Sequence, residues 1–554
     1  MRPRFALLAT AVTGVAALLP ALGAADVGPP RQISVHPIVV GPGQHETAVE
    51  PDSISFGNTI VAAFQVGRFP TGGASGIGWA TSRDAGATWT SGVLPALTVA
   101  APVPGPFSRV SDPAVAYDRV HGAFLANVLA LRDVGRTEPS TSLVVSRSND
   151  GLSWSPPIVA APDEGRFGHD KNWIVCDNGT ASRFAGRCYV AWTGEGAALE
   201  VATSSDGGLT WSHAATFADI RGSGWQPLVR PDGALVIVYE TERGVAAVRS
   251  TDGGTSLSAP VAVSALRPAR VPGMRAPALP SAELDAAGTI YVAWHDCRFR
   301  DGCAGDAPND IVLASSRDGR RWSRTRRVPT SPELDGLNHF VPGLAVDAST
   351  RGRATRLALA FSILTPRDCI EQNCAVQPYF VSSSTGGRTW SAPQALASAQ
   401  PLSAYPSTSG GRFLGDYIST SFVAGGVAVP VFAAASAPFD GRFHQGVFAT
   451  PVPPLVARAA ALRVGTPRVS PARSRVGTRV RVSVAVTGAA LAMVVCRATG
   501  SRIRVTFEQW RILAGRAICT GVLRAAARNA RATGTITVTT PETEVTRRFA
   551  FRTR

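Results

Sequence analysis

Short apolar runs separated by Gly, Pro, Asp and Asn set the texture of this chain. Between residues 112 and 160 four such runs follow one another: Asp112 to Asp118, Ala123 to Leu131, Ser142 to Ser148 and Trp154 to Ala160. Each has the length and the turn-bounded edges of a β-strand. The same order of four strands repeats over most of residues 31 to 452. Three further strands are predicted over Arg412 to Val423, Val427 to Ala434 and Gln445 to Val452, and one stands apart near the start, over Gln32 to Val39. Beyond about Ala459 the pattern tightens to strict alternation, as in Arg479-Val480-Arg481-Val482-Ser483-Val484 and Gly534-Thr535-Ile536-Thr537-Val538-Thr539. That is the period of strands with one buried face. The pattern predicts an all-β chain.

A short motif sits at the same place in each unit. Its copies are Ser82-Arg83-Asp84-Ala85-Gly86-Ala87-Thr88-Trp89, Ser148-Asn149-Asp150-Gly151-Leu152-Ser153-Trp154, Ser204-Ser205-Asp206-Gly207-Gly208-Leu209-Thr210-Trp211, Ser250-Thr251-Asp252-Gly253-Gly254-Thr255-Ser256-Leu257, Ser316-Arg317-Asp318-Gly319-Arg320-Arg321-Trp322 and Ser383-Ser384-Thr385-Gly386-Gly387-Arg388-Thr389-Trp390. An Asp carboxylate here can accept bonds from the turn's own N–H groups, Gly supplies positive φ, and Trp packs between sheets. The motif is a hairpin staple, so its Asp residues are not candidate catalysts. Thr385 stands in for the Asp in the last copy and Leu257 for the Trp in the fourth, and the second and fifth are one residue short.

The motif resembles the Asp box, Ser-x-Asp-x-Gly-x-Thr-Trp, of sialidases and other Asp-box propellers. The stretch His169 to Trp173, with Trp192 and Asp296-Cys297-Arg298, is similar to bacterial exported proteins of the sialidase-like superfamily. The resemblance implies a β-propeller of four-stranded blades over residues 31–452. Joining the last three strands to the stray N-terminal one would make a seventh blade and remove exposed edges. Seven blades is the favoured count, and six, the number usual in sialidases, is the alternative.

Arg2 and Arg4 precede an apolar run from Phe5 to Leu22, followed by Gly23, Ala24 and Ala25. This reads as a secretory signal peptide over residues 1–25; a membrane anchor is the competing reading, weakened by Pro20 and the length of the run. A secreted protein with no later membrane segment is expected, with association with the cell envelope as one option. The eight Cys fall into couples, 176 with 188, 297 with 303, 369 with 374 and 496 with 519, which reads as four disulfides. No Cys-x-x-Cys pair suggests zinc. The acidic loop holding Asp296, Asp301, Asp306 and Asp310 lacks calcium-loop spacing and reads as a solvated loop. No metal and no cofactor are expected.

Charge is segregated. Residues 455–554 contain 19 Arg and 3 Glu with no Lys or Asp, a net of +16, which equals the net of the whole chain and leaves the remainder formally neutral. Arg in place of Lys reflects composition, because Lys171 is the chain's one Lys, but composition does not explain the segregation. A small, basic, immunoglobulin-like β-sandwich over residues 459–554, reached through the Pro451 to Pro454 linker, would favour an anionic cell-envelope polymer. Nucleic acid is not an expected partner.

In a propeller, function gathers where the inner strands and their loops meet the central channel. The inner strands are expected to begin at Glu50-Pro51-Asp52, Ser111-Asp112-Pro113, His169-Asp170-Lys171, Gly224-Trp225, Leu279-Pro280-Ser281, His339-Phe340-Val341 and Gly415-Asp416-Tyr417. Lys171 reads as a point charge paired with Asp170, locking the channel wall or touching substrate. The resemblance implies an Arg triad gripping a carboxylate, a Tyr nucleophile assisted by Glu, and an Asp acid/base. The first Arg of that triad belongs to an Arg-Ile-Pro motif, where this chain has Thr47-Ala48-Val49-Glu50-Pro51; Arg68-Phe69-Pro70 is similar but follows the second strand. Candidate substrate-binding residues are Arg68, Arg109, Asp170, Lys171, Arg275, Arg298 and Arg412. Candidate catalytic residues are Tyr417, Asp416, Asp112 and Glu240, two carboxylates sufficing for glycoside hydrolysis. Two functions are open: an exo-alpha-sialidase-type glycoside hydrolase, or a non-catalytic, glycan-binding propeller at the cell surface.

Overall fold

The computed structural model describes residues 27–38, 41–133, 140–162, 168–303, 307–331, 336–367, 369–454, 463–487, 493–499, 504–513, 516–525, 529–540 and 543–554. The expected signal peptide and Asp306 lie outside the described residues. Strands dominate, and the helices among the described residues are four three-residue 3-10 turns.

Antiparallel units of four strands, one of them with a short fifth strand, follow one another among the described residues. The first four are sheet A (Gln44–Phe56, Thr59–Arg68, Ala74–Ser82, Thr90–Val93), B (Arg109–Asp118, Ala123–Arg132, Ser140–Ser148, Ile158–Ala161), C (Asp170–Cys176, Cys188–Thr193, Ala198–Ser204, Ala215–Arg221) and D (Ser223–Val229, Leu235–Thr241, Gly244–Ser250, Val261–Ala265). Sheet E holds Ser281–Leu284, Ile290–Asp296, Asp310–Ser316 and Arg326–Arg327, and sheet F holds Asn338–Val346, Leu357–Thr365, Ala375–Ser383 and Gln394–Ala395. Sheet G takes Ser419–Phe422, Ala428–Phe439 and Arg442–Ala449, and its outer strand is Arg31–Gln32, in register with Ala449 and Phe448.

The first strands of A to G touch their neighbours in a closed cycle, with G returning to A. The core is divided accordingly. Val429, Val431 and Val447 of G pack with Ile60 and Phe64 of A, and comparable apolar clusters fill every other junction from A–B to F–G. Hydroxyls reinforce the closing junction: Ser53 lies 3.0 Å from Ser419 Oγ and 2.8 Å from Ser421 Oγ. A ring of packed sheets around a shared axis is a β-propeller.

The recurring motif forms the hairpin after each third strand. In the first copy, Thr88 N and Thr88 Oγ1 donate to the two Asp84 oxygens at 2.8 and 2.5 Å, Gly86 N donates to Ser82 Oγ, and Trp89 Nε1 donates to Gly86 O. The short copies use neighbouring N–H groups instead, Leu152 and Ser153 on Asp150 and Arg320 and Arg321 on Asp318. In the last copy the Thr385 hydroxyl bonds Thr389 Oγ1 at 2.8 Å. These donors hold the carboxylates ionised: the Ser256 hydroxyl, first among them, brings Asp252 down to about 2.

Beyond residue 462 two further sheets pack face to face. One contains Arg463–Val464, Arg468–Ser470, Arg479–Thr487, Arg516–Ala525 and Arg504–Leu513; the other contains Arg473–Ser474, Thr543–Thr553, Arg531–Thr540 and Met493–Thr499. They share a core that includes Val480, Val482, Val484, Ile536 and Phe549. The Cys496–Cys519 disulfide joins them, and the other three expected disulfides are also formed. No helix among the described residues is long and apolar enough to cross a membrane.

Candidate functional site

The inner strands share a local device. In A, B, C, D and F, two residues of the first strand stand opposite one of the second. The first of the two has positive φ: Glu50 (54°), Asp112 (46°), Lys171 (50°), Gly224 (64°) and Val341 (50°). Bulges of this kind re-aim side chains. Only Gly adopts this conformation cheaply, so a non-Gly residue here costs about 1 kcal/mol or more. Consecutive sheets A, B and C accept that cost at residues bearing charged side chains, which gather at one end of the channel.

Asp416, which follows Gly415 in the approach to sheet G, joins them. Lys171 Nζ donates to Asp416 Oδ2 at 2.8 Å and to Asp112 Oδ1 at 3.4 Å. Arg275, from the D–E connection, grips Asp416 bidentately, Nε to Oδ1 at 3.1 Å and a terminal nitrogen to Oδ2 at 2.7 Å. Asp416 N donates to Glu50 Oε1 at 3.1 Å, and Gln65 Nε2 donates to Glu50 Oε2 and to Ser111 Oγ. Arg68 and Arg275 both lie over the Phe413 ring, 4.1 and 4.8 Å from its centre. A cleft of about 780 Å³ opens over Glu50, Arg68, Arg109, Asp112, Lys171 and Arg275.

Environment separates the acids. Burial, with the Asp112 and Asp416 charges beside it, pushes the Glu50 carboxyl up to about 8. Burial also works against Asp416, but Lys171 and Arg275 outweigh it and hold that carboxylate below its ordinary range. For Lys171 the cost of burial is overcome by Asp112 and then Asp416, which hold the ammonium well above its ordinary value. Glu50 therefore carries a proton at neutral pH while Asp416 does not. Turning the Gln65 amide end for end would set its Oε1, otherwise without a partner, to accept a hydrogen bond from the protonated Glu50. Arg68 is 2% exposed, donates to Phe69 O at 3.0 Å, and has no carboxylate partner and an unbonded Nε among the described residues. It is a buried cation lining the cleft with no ion pair among the described residues, although the carboxyls of Glu50, Asp416 and Asp112 are near enough to act on its charge.

The remaining candidates divide. Arg109 sits at the rim, bonded to Thr71, Gly72 O and Asp133, and the exposed Asp170 lines the cleft while accepting from Lys171 N. Tyr417 turns away: its hydroxyl donates to Pro113 O at 3.0 Å and its ring meets Trp173 edge-on in a channel of about 140 Å³ below the Lys171 cluster. Arg298 is occupied by Asp296, Ser264 and Ala265 O, and Arg412 by Tyr405 O and Glu371. Neither lines the cleft, nor does Glu240, half-buried on the second strand of D. Glu50, Gln65 and Phe413 were not among the candidates. Glu50-Pro51 occupies the position in A that Asp112-Pro113 occupies in B, and that repetition is the signal that would have found Glu50. Two further channel carboxyls, Asp52 and Glu283, are pushed by burial up to about 7 and about 8. Among the described residues no group of three or more His, Cys, Asp or Glu could hold a metal ion.

No family model and no curated protein matches the chain. Among solved structures it is similar to Hadza microbial sialidase Hz136, at 16% identity over 58% of this chain and 65% of that one, with a TM-score of 0.36. It is similar to the NanB sialidase from Streptococcus pneumoniae at 11% identity, 76% of this chain, 71% of that one and a TM-score of 0.37. A Penicillium chrysogenum alpha-L-arabinanase complexed with arabinobiose gives 12% identity, 62% of this chain, 93% of that one and a TM-score of 0.37. The chain thus spans 65% of the length of the first of these. Likenesses at this level carry no residue role across to this chain.

Proposed function

We propose that the chain is a secreted, glycan-active propeller whose cleft takes a terminal acidic sugar. The observation that carries this reading is Arg68, a buried cation with no carboxylate of its own, stacked with Arg275 on Phe413 at the floor of a sugar-sized cleft. A ligand carboxylate would supply the direct ion pair that Arg68 lacks among the described residues, and a guanidinium binds it best through paired N–H groups. Arg275 and Lys171, both engaged with Asp416, reinforce the positive floor.

Within this reading Glu50 is the acid of an exo-alpha-sialidase-type hydrolysis. Protonated at neutral pH, it gives its proton to the departing glycosidic oxygen, while Asp112, kept near Lys171, takes a proton from the attacking water. Acid and base roles set by divergent environments are the usual arrangement for two carboxylates. The expected result is release of fluorophore from a terminal acidic glycoside, abolished in Glu50→Gln. A non-catalytic glycan-binding propeller is the second reading, favoured by Tyr417 bonding Pro113 O in the channel instead of facing the cleft. Saturable binding of acidic glycans with no turnover across a panel of sialosides and other glycosides selects it; neither binding nor turnover refutes both.

We assign the signal peptide to residues 1–25, the propeller to 31–452 and a basic, immunoglobulin-like sandwich to 459–554. The closed cycle of first strands supports seven blades, and the disulfide joining the two last sheets supports the sandwich. The surplus of Arg over Glu supports an anionic envelope polymer as partner of the last region.

A further inference from the structure

The two sheets beyond residue 462 differ in what they turn outward. In the sheet containing Thr543–Thr553 and Arg531–Thr540, one side places Ala532, Ile536, Val538, Phe549 and Phe551 in the shared core. Strand alternation puts the intervening residues on the opposite side. There, Arg473 is in register with Arg552, and Arg552 with Arg531, giving three Arg abreast on three neighbouring strands. Four residues along, Arg548 is in register with Thr535 and Thr535 with Arg497, giving a second cross-strand row. All five Arg are exposed.

Neighbouring strands are about 4.8 Å apart, so the first row sets like charges side by side, an arrangement that destabilises a sheet. The two rows are separated by about 13 Å along the strand. Between and beside them lie Thr533, Thr537, Thr546 and Ala550, leaving no aromatic platform among the described outward residues. Single-stranded nucleic acid is held by stacking on such platforms. A field of guanidinium groups and Thr hydroxyls, with one acid, Glu544, in register with Thr539 at its far end, instead matches a polymer that presents carboxylates or sulfates together with many hydroxyls.

We propose that this outer face binds a linear anionic polysaccharide across its two Arg rows. The proposal rests on the reading of the basic region as a polyanion-binding module, and adds the face and the class of polymer. Guanidinium forks bond the acidic groups, and Thr hydroxyls bond sugar hydroxyls between them.

The full chain is titrated against immobilised heparin and polygalacturonate over a range of salt concentrations. The variants are Arg473→Thr with Arg531→Thr and Arg552→Thr, and, on the outward side of the other sheet, Arg468→Thr with Arg481→Thr and Arg516→Thr. The first triple is expected to lower affinity by about 100-fold at low salt and to reduce the slope of log K against log salt by about two to three. Its thermal midpoint should be unchanged or higher, because the repulsive row is gone. The second triple is expected to lose less than about tenfold. Equal losses in the two triples overturn the assignment of the face, and preference for an oligothymidylate of matched charge overturns the polysaccharide. Failure of the unaltered chain to bind any of these polyanions overturns the module reading itself.

Discussion

Charge and backbone strain meet at Lys171, and two substitutions separate them. Its ammonium lies 2.8 Å from Asp416 and 3.4 Å from Asp112, with the Lys171 side chain 16% exposed. Removing one member of a buried ionic set costs about 3–5 kcal/mol, because the partners stay buried without compensation. Asp416 keeps its bidentate Arg275, so the loss falls mainly on Asp112, and Lys171→Met should cost about 3 kcal/mol at pH 7. Lys171→Gly removes the same charge but also relieves the positive φ of 50°, worth about 1 kcal/mol. Gly should therefore be the milder change, the reverse of the order at an ordinary strand position.

The penalty also has a pH signature. Without the ammonium, the burial of the carboxylates beside it is no longer offset from that side, so their charged form is disfavoured in the folded state. Groups shifted upward contribute their full stability below the unfolded pKa and lose it as pH rises through the folded one. The variants should thus be close to the unaltered protein at pH 4 and fall away toward pH 7. Lys171 itself adds no slope in this window, because its unfolded value, about 10.4, and its raised folded value both lie above it. Urea unfolding followed by Trp fluorescence reads the propeller, since every Trp except Trp510 precedes residue 391. Equal midpoint shifts at the two pH values, or greater damage from Gly than from Met, would refute this account.

Glu50, Glu283 and Asp52 are raised to about 8, about 8 and about 7, so the same sign rule makes the propeller lose stability between pH 5 and pH 8. Urea midpoints across that range should fall, and Glu50→Gln should flatten the fall. Arg68→Met should weaken binding of an acidic monosaccharide by at least about 30-fold, through loss of a charge-assisted pair, with thermal unfolding little changed; calorimetric titration measures it. Cys496→Ser with Cys519→Ser opens a link 23 residues long and should cost the last region about 3 kcal/mol. Scanning calorimetry should show one transition lowered and the propeller's unchanged.

The sequence disclosed what is local. The hairpin motif and the four disulfides are each determined within a few residues and appear where the pattern places them, whereas the first strand of A begins at Gln44, ahead of Glu50, and that of G at Ser419, after Tyr417. The Arg298 pairing is local too, because Asp296, two residues away, is enough to engage it. Glu50 carries no signal within its own segment, where the resemblance places an Arg, and only the repetition of an acid before Pro in sheets A and B marks it. Tyr417 beside Asp416 was beyond sequence reasoning: the two adjacent side chains diverge, one toward the cleft cluster and the other toward the channel, at a turn set by Gly415.

The cleft's ionic contacts join residues far apart in sequence: Lys171 with Asp112 across 59 positions, Lys171 with Asp416 across 245, and Arg275 with Asp416 across 141. None is favoured by local structure: the first needs sheets B and C to pack side by side, and the other two need the approach to sheet G to reach the site across the ring. Closure is therefore a condition of the site as well as of the fold. Lys171 and Asp112 pair with each other between sheets C and B, and the strained residues of A, B and C are joined into one network when Asp416 arrives from the far end of the propeller sequence. A carboxyl protonated at neutral pH beside an ionised one is a property of the closed ring, and an open or slipped ring would leave Glu50 an ordinary surface acid.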